Sequence, residues 1–140
     1  GDILRLNKEQ DDLGIYNAEY VVMHNNRFEK VEGVIANVYR GGTDESTFGP
    51  HVDFSHNQVL DSSKGKRNKS AASLFLHGTQ VNNIAANQFI NSAPLVLEHT
   101  VGEPHTRIVD NVFEQTAEPV IKQLFPLSGA VVTMTGNISK

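Results

Sequence analysis

The chain has 140 residues, no cysteine and a formal net charge of −4, with 39% hydrophobic residues. That length suits one domain with one continuous core, and the modest apolar fraction suits a thin column more than a deep globule. No basic stripe dominates, which argues against a nucleic-acid partner. No apolar run approaches a membrane span, and no disulfide framework or thiolate metal site can form.

In chain order, the opening Gly1-Asp2-Ile3-Leu4-Arg5-Leu6 reads as the middle of a strand, so residues 1–140 are read as one domain that is a piece, or the C-terminal domain, of a longer chain. Its apolar residues Ile3, Leu4, Leu6, Val21 and Met23 are expected to form an uncapped solenoid end. That end would take the N-terminal β-helix domain of a parent chain or a second copy as partner. The repeat then begins. Met23 to Phe28, Phe54 to Val59, Ile84 to Phe89, Ile108 to Phe113 and Met134 to Ile138 superimpose on one pattern. Each places a large apolar residue three positions before a central asparagine: Asn26, Asn57, Asn87, Asn111 and Asn137. The first four add another apolar residue two positions after it. The asparagines recur every 24 to 31 residues, a solenoid period.

Strands alternate faces and stack about 4.8 Å apart, so equivalent residues of successive coils lie above one another. Two internal ladders follow: Met23, Phe54, Ile84, Ile108 and Met134, and Phe28, Val59, Phe89 and Phe113. The central asparagine is expected to occupy a left-handed corner and to bond its counterpart in the next coil. A further apolar strand recurs at Val34-Ile35-Ala36, Leu74-Phe75-Leu76, Leu95-Val96-Leu97 and Pro119-Val120-Ile121. The pattern predicts an all-β, single-stranded, right-handed parallel β-helix of about five coils. A β-sandwich would explain the alternation but not the asparagine at fixed offsets.

The second coil carries an insertion from Ser62 to Ala72 that contains Lys64, Lys66, Arg67 and Lys69. It reads first as a solvated loop and second as a binding patch for a polyanion, with Lys66 and Arg67 as contacts. Arg40, His77 and His99 fall at the ends of equivalent strands. In one register they form a cationic row on an outer face, able to meet carboxylates; in a blander reading they are solvated strand ends. Neither histidine has a partner at metal-ligand spacing, so no metal site is assigned. Asp44 and Glu45 read as partners of Arg40 or loop caps more readily than as calcium ligands. Glu98 and His99 are adjacent in a strand and should face opposite ways.

The run from Val38 through Arg40-Gly41-Gly42-Thr43-Asp44-Glu45-Ser46-Thr47 to Pro50, with His51-Val52-Asp53-Phe54, resembles polysaccharide lyase family 6, as do Gly65 to Ser70 and Ser73 to Gly78. The likeness runs from about Gly1 to Leu124. It implies a secreted or periplasmic parent that cleaves uronic-acid polymers by β-elimination, with a lysine base, an arginine acid and calcium on the substrate carboxylate. The family's arginine strand reads Leu-x-Leu-Arg-His-Gly; here Leu74-Phe75-Leu76-His77-Gly78 lacks the arginine, and the lysine strand has no counterpart. The resemblance therefore assigns no catalytic residue and no cofactor to this stretch, and places calcium in a separate catalytic domain. Three roles stay open: a supporting domain of an alginate-lyase-like enzyme that contacts an acidic polysaccharide, a stand-alone glycan-binding module, or a surface that completes an active site.

Overall fold

A computed structural model describes residues 2–6, 20–39, 51–100, 102–124 and 131–140. Among these residues every regular element is a strand. The first coil holds β1 (Leu4–Leu6), β2 (Tyr20–His24) and β3 (Arg27–Glu29), and the second β4 (Ala36–Tyr39), β5 (His51–Ser55) and β6 (Gln58–Leu60). The third holds β7 (Leu74–His77), β8 (Val81–Ala85) and β9 (Gln88–Ile90), and the fourth β10 (Leu95–His99), β11 (His105–Val109) and β12 (Val112–Glu114). The last holds β13 (Val120–Gln123), β14 (Val131–Thr135) and β15 (Ile138–Ser139).

Each strand pairs in parallel with its equivalent one coil away, giving three five-stranded sheets: A from β1-β4-β7-β10-β13, B from β2-β5-β8-β11-β14, and C from β3-β6-β9-β12-β15. The result is a parallel β-helix. Five levels leave four full turns between the first strand and the last, close to the five coils counted in the sequence.

The ladders take the expected register. Met23 pairs with Phe54, Phe54 with Ile84, Ile84 with Ile108 and Ile108 with Met134. Phe28, Val59, Phe89 and Phe113 are likewise level with one another. Phe54, Phe89 and Phe113 stack through the centre, with ring centroids 6.1 and 5.3 Å apart. Of the third set of strands, the first starts later than expected, at Ala36.

The asparagine corner needs one correction. The left-handed residue is the one before each ladder asparagine: Asn25, His56, Ala86, Asp110 and Gly136, with φ between 55° and 70°. The asparagine itself is thereby turned inward. Asn87 donates its backbone N–H and its side-chain amide to Asn111 Oδ1, both at 2.9 Å, and the same amide to the Phe54 carbonyl at 2.8 Å. Asn57 and Asn111 bond onward in the same way. A second corner, after sheet C, uses hydroxyls. The N–H of Ser62 donates to Ser92 Oγ and that of Ser92 to Thr116 Oγ1. Again a left-handed residue precedes each, here Asp61, Asn91 and Gln115.

Both ends of the column are less completely covered than its middle. At the first level Val21 is buried, and Leu4, Leu6, Met23 and Phe28 are half-buried against the core. Ile3 is 55% exposed. At the last level Val132 and Met134 keep inward register positions yet are 41% and 45% exposed.

Candidate functional site

The insertion after β6 exposes its four cations to solvent, yet its backbone is fastened. The Ser63 N–H donates to the Val31 carbonyl at 2.6 Å, its hydroxyl to the Gly33 carbonyl at 2.7 Å, and the Gly65 N–H to the Glu32 carbonyl at 3.1 Å. Asn68 then closes the loop on itself, donating its amide to the Ser63 and Ala72 carbonyls at 2.8 and 3.0 Å and accepting from Ser70 Oγ at 2.9 Å. Glycine is needed at position 65 because a β-carbon there would stand 2.8 Å from the Glu32 carbonyl oxygen. The loop is therefore fastened to the coil beneath it.

Between this loop and the outer surface of sheet A lies a groove of about 1010 Å³. Among the described residues its walls bring Lys64, Lys66, Arg67 and Lys69 together with Arg5, five cations against the two carboxylates of Asp2 and Glu32. Asp2 is already engaged: it accepts the Val34 N–H at 2.9 Å, holds Arg5 Nη2 at 2.9 Å and meets the Asn37 amide at 3.4 Å. Burial pushes its carboxyl up. The Val34, Arg5 and Asn37 hydrogen bonds outweigh that and hold it below the ordinary carboxylate range. Lys64 reaches Asn91 Oδ1 at 2.7 Å, whereas Lys66, Arg67 and Lys69 are exposed and pair with no carboxylate among the described residues. A net cationic groove on a rigid frame can take an extended polyanion through charge-assisted hydrogen bonds.

Lys66 and Arg67 thus stand in the groove. Arg40 lies outside the described residues, as does the Asp44-Glu45 loop. The remaining two residues of the expected row do not share a face. Register sets His77 level with Glu98, and His99 one position further along its strand. His77 faces outward on sheet A, 8% exposed, with Nδ1 2.8 Å from Glu98 Oε1 and its ring stacked on Tyr39 at 4.1 Å. His99 turns into the column, 2% exposed, with Nε2 2.9 Å from the Thr106 hydroxyl. Burial there pushes its pKa below the ordinary histidine value. The alternation that separates Glu98 from His99 holds. Among the described residues no three His, Asp or Glu side chains gather as metal ligands.

Sequence reasoning missed Arg5 and Asn37 as parts of the site. Arg5 joins the loop lysines only because β1 and β4 pair one level apart, which no local motif announces.

No protein-family model matches the sequence, and a search of curated proteins found no match. Among solved structures, the chain superposes over 100% of its length on the PL6 family alginate lyase AlyGC, at 61% identity and a TM-score of 0.92. The likeness to polysaccharide lyase family 6 holds. An arginine-to-alanine mutant of AlyGC matches equally, at 61% identity and a TM-score of 0.92. The chain spans 19% of the AlyGC chain. The match leaves no part of the chain out, so the loop, the groove and the asparagine ladder all lie within the matched region.

Proposed function

We propose that this chain is the C-terminal β-helix part of a secreted or periplasmic polysaccharide lyase acting on alginate-like uronic-acid polymers, and that its groove holds the polymer while another part of the parent cleaves it. The observation that carries this reading is the match to an alginate lyase over the whole chain, groove included. The chemistry agrees. A uronate chain presents one carboxylate per sugar, and Lys66, Arg67 and Lys69, which meet no carboxylate among the described residues, offer donors on a frame that loses little entropy on binding. Cleavage is assigned elsewhere because the Leu74 to Gly78 strand lacks the family's arginine and because His77 and His99 face opposite ways.

Gel retardation of the chain in embedded alginate, with a neutral glucan as control, tests the groove. Alginate should slow the parent chain, and Lys66→Ala with Arg67→Ala should restore most of the mobility. Equal migration of the parent chain in both gels would overturn the reading.

A further inference from the structure

The groove does not end at the loop. Arg5 and Asn37, which line it, belong to one outward row of sheet A that continues through Phe75 and Val96 to Val120. Past the groove this row changes from polar to apolar. The next outward row, two residues along each strand, runs Tyr39, His77, Glu98, Lys122. The Tyr39 and Phe75 rings lie parallel within 4°, centroids 6.4 Å apart, and Tyr39 covers His77 with planes 7° apart. Tyr39 and Val120 each remain 37% exposed.

We propose that this outward strip of sheet A, with Tyr39, Phe75 and Lys122 as its contacts, is a second sugar subsite that receives the next residues of a uronate chain held in the groove. This rests on the groove reading. A sugar ring has an apolar C–H face and a polar rim, so it suits an aromatic and aliphatic surface edged by cations. The strip supplies the apolar surface, with Lys122 as the cation at its edge. Glu98 would repel a uronate if it stood alone, but His77 lies 2.8 Å from one of its oxygens and Lys122 Nζ lies 3.9 Å from the other. Lys122 is 56% exposed and only loosely held at that distance, which leaves donors for a sugar carboxylate. Strand spacing of about 4.8 Å puts Tyr39 and Phe75 one level apart along the column axis and Lys122 two levels beyond Phe75. A protein partner would also cover an apolar strip, but continuity with a cationic groove through Arg5 and Asn37 favours the sugar.

Titration of the full chain with uronate oligosaccharides of increasing length separates the two sites. For short oligomers, Tyr39→Ala and Lys122→Ala should bind as the parent does, while Lys66→Ala binds weakly. For oligomers long enough to leave the groove, Tyr39→Ala should lose about fivefold in affinity and Tyr39→Phe almost none, the ring being what matters. Thermal melts confirm that each variant is folded. Should Tyr39→Ala and Lys122→Ala bind every length as the parent does, while Lys66→Ala is weakened, the strip is no subsite and the groove stands. Variants that change only self-association in sedimentation would make the strip a protein contact and overturn the proposal. A parent chain that binds no oligomer of any length would overturn the groove and the strip together.

Discussion

Asn87 shows how much of this column rests on single side chains. It is 1% exposed; its N–H and its amide reach Asn111, the amide reaches Phe54, and its Oδ1 accepts the Asn57 N–H at 2.9 Å. Asn87→Asp keeps the size and removes the donor, leaving carbonyl oxygens of two coils without their amide and a charge in a dry row. The expected loss is about 1–3 kcal/mol, read from chemical denaturation. A variant as stable as the parent would deny the ladder its role. His99 gives a prediction in pH. Burial lowers its pKa in the folded chain below the ordinary histidine value of about 6.5, so the unfolded chain binds the proton more readily. Its contribution is therefore intact above about pH 6.5 and is lost as pH falls through the window between that value and the lower folded one. Melting temperatures from pH 8 down to 5 should fall more steeply for the parent than for His99→Gln. Parallel curves would mean that His99 titrates alike in both states.

At the scale of elements, strands and ladders were legible in the sequence because one-face burial and coil spacing leave a periodic trace. The corner was half legible. The repeat picked out the asparagine, but the left-handed strain falls on its neighbour, which is Asn, His, Ala, Asp and Gly in turn and so carries no common residue type. The hydroxyl corner passed unnoticed although Ser62, Ser92 and Thr116 each stand five residues after a ladder asparagine, because short hydroxyl residues leave no trace in a pattern of large apolar positions. The core ladder makes a direct test. Phe89 is 0% exposed and stacked between Phe54 and Phe113, so Phe89→Ala should cost about 3–5 kcal/mol. An unchanged melt would sink the register. The loop gives another test. Gly65→Ala forces a β-carbon within 2.8 Å of a backbone oxygen, so the loop must lift from Glu32. A stability loss of about 1–3 kcal/mol and weaker alginate binding should appear together. Weaker binding without any change in stability would show that the fastening is not what shapes the groove.

Across the whole molecule, the candidate site was less legible than the fold because it is assembled from different levels. The basic run gave Lys66 and Arg67, but Arg5 arrives from the coil below, and His77 and His99, expected in one row, stand one residue out of register with each other. A single slip of that kind turns a side chain to the opposite face. It moved His99 from the surface into the core, where it meets Thr106. The sheet arrangement also explains why a modest net charge of −4 is compatible with a polyanion site: the cations are concentrated on one side of sheet A by the fastened loop. The salt dependence of alginate binding tests this account most directly. Logarithms of affinity against salt concentration should fall linearly for the parent chain, with a slope set by the cations that displace counterions. Lys66→Gln, Arg67→Gln and Lys69→Gln combined should flatten that slope by about two to three. Binding that ignores salt, or a slope left unchanged by the triple variant, would contradict the claim that this groove holds the polymer by its charge.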